Sequence, residues 1–410
     1  MLYGNAKIGA ALDWAASHYF NSAVKASPAF HAGLIEADYI PGLYRLATLP
    51  GNERENVLNA LRHFGEAAAP ADSPWREGFR SLMELFLEEL KESEPLQNEL
   101  TLESAKGVLQ TLLRLEAGGL VSSEICPWEK EIHAQFEMAL ELIVRLELNH
   151  APLEQIMAYS LFANFADHTS FTEGEQVRAA LQHVEKLAAW FMERWRSFQA
   201  FLPQYPLLQS YWIALLEAWQ QTQFLTYVPD NAFEWAFDLF LINHKILAHC
   251  RPPQKNWRIN LLPRRFALGD DVDAGFLSHS LDAFFVSDDC REALGKKLFV
   301  VPVASLQGLN MIEADPHSVN ALQQHALMIL KGYGNFLCTA PSGLNLNRFH
   351  IFVPKGFAGR RLAGNFAGWK HADTCPPLVL RLTGKNRIGM LYPKIEKTIA
   401  EIVLEQVFSI

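Results

Sequence analysis

The chain has 410 residues, half of them hydrophobic and a fifth charged, with a net charge of −9. That length allows a large core and about two or three domains, and no apolar run reaches the roughly eighteen residues of a membrane span. The five cysteines (Cys126, Cys250, Cys290, Cys338 and Cys375) are scattered without a CxxC spacing, which argues against a disulfide framework or zinc ribbon and points to a reducing cytoplasm.

The opening segment has no basic n-region and predicts no signal peptide; a helix is expected over Ala6–Tyr19. Phe30 to Asp38 reads as a strand ending in an aspartate, with Pro41 at the start of a helical turn. From residue 53 to about 250 the pattern is helical almost throughout. Trp75–Glu92 carries Phe79, Leu82, Met83, Leu85, Phe86 and Leu90 at the 3/4 spacing of an amphipathic helix. Helices follow at Thr101–Leu115, Lys130–Leu148, Gln176–Phe198, Leu207–Phe224 and Asn231–His249. Thr172 and Glu175 form a capping box ahead of the fourth helix of that run. Trp190, Trp195, Trp212, Trp219 and Trp235 recur at helical positions and read as core.

Pro252-Pro253 ends the helical region, and short apolar runs take over. They lie at Trp257–Leu262, Ala283–Val286, Leu298–Val303, Asn335–Thr339, Arg348–Val353, Leu378–Leu382 and Ile388–Leu391, with helices expected at Ser318–Lys331 and Lys394–Val407. The fold class is therefore α+β or α/β: a mostly helical region over 1–250, then a smaller mixed α/β region over 251–410. Charge is divided unevenly. Residues 331–394 hold ten Lys or Arg against one acid, Asp373, a local +9, while residues 1–330 carry −16. Such asymmetry can mark a surface for a polyanion.

Gly269–Pro302 holds six aspartates: Asp270, Asp271, Asp273, Asp282, Asp288 and Asp289. Strand, acidic turn, short helix and strand form one parallel βαβ step, with Asp288 and Asp289 at the carboxyl end of the run Ala283–Val286, where open α/β sheets bind ligands. Asp270 and Asp271 read as turn residues and Asp282 as a strand entry. The run from Asp273 through Asp288-Asp289-Cys290-Arg291 to Val301-Pro302 resembles the distal acidic segment of PIN-like nucleases. That resemblance implies a Mg²⁺- or Mn²⁺-dependent ribonuclease with Asp273, Asp288 and Asp289 as metal-binding, catalytic acids. It also implies an aspartate ending a first strand, for which Asp38 is the candidate; the long helical region would then be an insertion or separate domain.

Other constellations carry less. Glu147 and His150 make one E-x-x-H pair, at the end of a helix and without a second pair to complete a di-iron site. The glycines around Lys331-Gly-Tyr-Gly334 and Gly364–Gly368 match no phosphate-loop spacing. The basic segment interleaves aromatics with Arg360, Arg361, Lys370 and Arg387, the residue types that grip nucleic-acid phosphates and stack on bases. The sequence expectation is nucleic-acid processing, by metal-assisted phosphodiester cleavage of RNA. The alternative is a non-catalytic nucleic-acid-binding or protein-interaction component of a larger assembly.

Overall fold

In the computed structural model the described residues are 5–15, 46–48, 51–69, 73–100, 102–118, 129–166, 183–250, 256–264, 271–284, 296–302, 327–332, 335, 348–353 and 378–382. Among the described residues nine α-helices precede the first strand: α1 (Ala6–Ala15), α2 (Gly51–Ala68), α3 (Arg76–Glu92), α4 (Glu94–Glu99), α5 (Leu102–Gly118), α6 (Glu129–Arg145), α7 (Leu153–Ala163), α8 (Val184–Phe201) and α9 (Pro206–Gln221). Their amphipathic pattern dictates the packing. In α3, Phe79, Leu82, Met83, Phe86, Leu87 and Leu90 form one buried stripe. Ser93 ends that helix and caps the next, its side chain accepting from the Leu96 N–H.

The chain then alternates: β1 (Phe224–Val228), α10 (Ala232–Cys250), β2 (Arg258–Leu261), α11 (Ala274–Phe284), β3 (Leu298–Val300), β4 (Leu327–Lys331), β5 (Arg348–Phe352) and β6 (Leu378–Leu382). One six-stranded sheet results, in the order β3-β2-β1-β4-β5-β6. All pairings are parallel except β5 with β6. This is a mixed α/β fold. β4 and β5 are buried at every position, as parallel strands covered on both faces are, while the edge strand β3 is half-buried.

Helix α10 is the joint between the layers. It lies against α6 and α7, and Phe237 stacks on Phe191 of α8 with ring centroids 5.3 Å apart. Near its other end Lys245 donates to the terminal carbonyls of α9, at Trp219 and Gln220. Burial pushes that ammonium down to about 8. Trp212, Trp219 and Trp235 are fully buried, and Trp190 and Trp195 pack against the core, as the helical spacing predicts. No helix among the described residues is long and apolar enough to cross a membrane.

Several sequence expectations change. The helix over Leu207–Phe224 stops at Gln221, and Phe224 opens β1. The last turn of the Ser318–Lys331 helix is instead β4, at the centre of the sheet. Ala283 and Phe284 end helix α11 rather than start a strand, and exposed Asp282 sits on that helix. The βαβ step survives one element earlier: β2, α11 and β3, with Ile259 opposite Leu298. The fourth helix of the run begins at Val184, while Thr172, Glu175, the strand over 30–38, the helix over 394–407 and the run 388–391 lie outside the described residues. The boundary expected near residue 250 falls between β1 and β2, which pair directly.

Ile329 lies in β4 with no solvent exposure. Replacing it by alanine is expected to cost about 2–5 kcal/mol, read as a lowered midpoint in urea unfolding. Ile213→Ala, at a side chain 48% exposed, should change stability by less than about 0.5 kcal/mol.

Candidate functional site

Strand β1 pairs with β2 on one side and β4 on the other, so the strand order reverses at the β1–β4 pair. In open parallel sheets this switch point, at the carboxyl ends of the strands, leaves a crevice for a ligand. The residues that emerge there are Asp230 and Asn231 after β1, Lys331 and Gly332 at the end of β4, and Val353 after β5.

Asn231 caps α10: its Oδ1 accepts from the Glu234 N–H (2.9 Å) while its Nδ2 donates to Glu234 Oε1 (2.6 Å). The first bond is an N-cap bond to the third residue of the helix; the second joins the Asn231 side-chain amide to the Glu234 carboxylate. One turn on, Asp238 is buried beneath Glu234. The Lys331 ammonium reaches both, at 3.0 Å from Glu234 Oε2 and 3.6 Å from Asp238 Oδ1. It also donates to the Ser160 carbonyl (2.6 Å) and to Ser160 Oγ (3.0 Å). The Ser160 hydroxyl in turn donates to Asp238 (2.5 Å). Helix α7 thus supplies Ser160, and its cap Asn164 donates to Glu234 and, at 3.3 Å, to Asp230.

The electrostatics follow from burial. Lys331, Glu234 and Asp238 have no solvent exposure. Burial lifts the Asp238 carboxyl to about 6, with Glu234 adding to it and Lys331 pulling against it. Burial also works against the charged form of Lys331, yet Asp238, Glu234 and Asp230 together hold it above its usual value. The Tyr227 phenol, buried beside Asp238, is pushed well above its usual value by burial and then by that neighbour. Asp230 alone of the three acids is partly exposed.

Two backbone features shape the mouth. Gly332 has φ +82° and its N–H donates to the Ile351 carbonyl (3.0 Å); a Cβ at this position would run into the Asp230 carboxylate. Only glycine takes that conformation without strain and lets β4 end against Asp230. On the other side Asn231 forms an antiparallel bridge with Asp271, and the Val272 N–H donates to the Asp230 carbonyl (3.0 Å). The Asp271 carboxylate is ion-paired with Arg264 at 2.6 Å.

No protein-family model and no curated protein matches this chain. A crystal structure of a DUF89 family protein from Pyrococcus horikoshii is similar to it, with a TM-score of 0.48 and 15% identity, over 77% of this chain and 94% of that one.

Of the acids singled out in the sequence, Asp273 opens α11, its Oδ1 accepting from the Phe276 N–H (2.8 Å). Asp38, Asp288 and Asp289 lie outside the described residues, as do Arg360, Arg361, Lys370 and Arg387. Among the described residues no three Asp, Glu, His or Cys side chains are grouped as a ready metal cage. Glu147 takes a left-handed conformation after α6, and with His150 it borders a shallow surface cavity away from the switch point. Sequence reading missed Ser160, Asn164, Asp230, Asn231, Glu234, Asp238 and Lys331. The available signal was Lys331-Gly332, directly after the apolar run Ala326 to Leu330, and Asp230-Asn231, one proline after Phe224 to Val228.

Two outcomes follow from the burial. Lys331→Met leaves Glu234 and Asp238 without their cation and is expected to cost about 3–5 kcal/mol in urea unfolding. Asp238 has a folded value of about 6 against about 3.9 unfolded, so between these values the folded chain holds the extra proton. Its contribution to stability is full below about pH 4 and is lost as pH rises through about 6, by about 3 kcal/mol. Unfolding measured against pH should show that slope, and Asp238→Asn should flatten it.

Proposed function

We propose that the chain is a hydrolase of phosphate esters that works with a divalent cation, Mg²⁺ or Mn²⁺, at the switch point between β1 and β4. The supporting observation is the charge of the cluster. Among the described residues, Asp230, Glu234 and Asp238 share the charge of the Lys331 ammonium. An excess of carboxylates in a buried setting favours a bound cation or protons. Hard oxygen donors suit Mg²⁺, which is commonly held by one or two carboxylates plus substrate phosphate and water rather than by a full protein cage. Asp230 is the residue that would hold it, on a turn fixed by the main-chain bridge between Asn231 and Asp271.

A cation bound there would supply a Lewis acid for the phosphoryl oxygen and a water of lowered pKa as nucleophile. The chain's own residues do the rest. Asn231 fixes the turn that carries Asp230, Gly332 leaves space against its carboxylate, and Asp238 shares the Lys331 charge with Glu234. The reaction class is the one expected from the sequence, moved to a different set of acids. RNA as substrate rests on residues outside those described, so the ester class is the reading carried here.

The test is hydrolysis of p-nitrophenyl phosphate, bis-p-nitrophenyl phosphate and a short RNA by the full chain, with Mn²⁺, with Mg²⁺ and with a chelator. Turnover that requires the metal is expected, and Asp230→Asn should lower kcat/KM by at least about 100-fold, since a bound cation contributes several kcal/mol. Equal rates with and without metal on all three substrates, or an unaffected Asp230→Asn protein, would overturn the reading. Cleavage of RNA alone would restore the nuclease expectation.

A further inference from the structure

The proposed reaction needs the Asp230 carboxylate to face one way, and one side chain bonded to it comes from the helical layer. Asn164 closes α7 and has no solvent exposure. Its Oδ1 accepts from the Val353 N–H at 2.8 Å, just past β5. A main-chain N–H can be met only by the amide oxygen, so this bond fixes which way the amide points. Its Nδ2 is then turned to the other side, where it donates to Glu234 Oε1 and to Asp230 Oδ2. Three elements far apart in sequence are joined by one side chain, which sets a neutral double donor against two carboxylates.

Glu234 anchors the arrangement. One of its oxygens accepts from Asn164 and Asn231, and the other faces the Lys331 ammonium. Lysine has three donors, and Lys331 has acceptors within 3.0 Å at Ser160 O, Ser160 Oγ and Glu234 Oε2. Neither Glu234 nor Lys331 is therefore placed to reach out to a ligand. Both hold the groups that do.

We propose that Asn164 is a positioning residue of this site: it orients the Asp230 carboxylate toward the ligand and ties it to the buried Lys331–Glu234 pair. Partners of this kind, bonded to a metal-holding carboxylate, typically change metal affinity by about 10–100-fold when removed. The metal arm of the test rests on the hydrolase reading; the structural arm does not.

The experiment compares the full-length wild type with Asn164→Ala by Mn²⁺ titration and by crystal structures of both. Leu109→Ala, a core truncation in α5, serves as a control for lost stability alone. Mn²⁺ affinity is expected to weaken by about 10–100-fold in Asn164→Ala and to stay unchanged in Leu109→Ala, with the Asp230 side chain turned to a new rotamer only in the first. Wild-type Mn²⁺ affinity with an unmoved Asp230 in Asn164→Ala would overturn the proposal, as would equal weakening in the two variants. A wild type that binds no Mn²⁺ counts against the hydrolase reading instead. The Asp230 rotamer then decides the positioning role, displacement supporting it and an unchanged side chain overturning it.

Discussion

The buried Lys331 ammonium is the constraint on which the other features depend. An unpaired charge at full burial costs several kcal/mol, so the fold has to bring acceptors to it from elsewhere. It does so from two directions. Helix α10 delivers Glu234 and Asp238 on successive turns of one face, and α7 delivers the Ser160 carbonyl and hydroxyl. Neither helix can shift along its axis without stranding the lysine. The helical layer and the sheet are thus held in register by a polar contact, while the aromatic packing around Phe191 and Phe237 supplies bulk that tolerates small shifts.

That polar contact lies at the carboxyl edge of the sheet for a topological reason. Strands β1 to β5 are parallel, so all their exits share one edge, and the chain leaves β1 and β4 in turns whose side chains meet. The interior of the sheet leaves little room for charge, as the fully buried strands β4 and β5 illustrate. Capping asparagine, glycine turn and terminal lysine are each ordinary ways to end an element. Placed together at the strand reversal, they form one connected polar cluster, with Asp230 its partly exposed acid.

Much of the fold was legible in the sequence. Helices with one apolar stripe, such as α3, declare themselves by the 3/4 spacing, and β2, β3, β5 and β6 fall inside the expected apolar runs. The strands that were misread, β1 and β4, are also the two that carry the site. Both are short and buried on both faces, so they lack the alternation that marks a half-exposed strand. A short apolar run of that kind has the same appearance as the end of a buried helix. β1 follows α9 after only Thr222 and Gln223, with no proline or glycine to mark the change. Missing those strands meant missing the turns after them.

The described acids divide along a related line. Local density drew attention to residues 269–289, yet of the aspartates described there Asp271 is ion-paired with Arg264, Asp273 caps α11 and Asp282 is exposed on that helix. These are local roles, and local roles are what closely spaced aspartates usually serve. The charges that converge come from well-separated segments: Ser160 meets Asp238, Lys331 meets Ser160, and Asn164 meets Val353. No window of sequence contains these pairs. What selects them is the order of the strands, since a residue matters here by which exit it occupies and by which helix end arrives opposite. Asp230 follows β1, Gly332 follows β4 and lies against Asp230, and the α7 terminus reaches Asp230 through Asn164. Among the described acids, the one after the strand at the reversal is thus the one bonded to the end of α7.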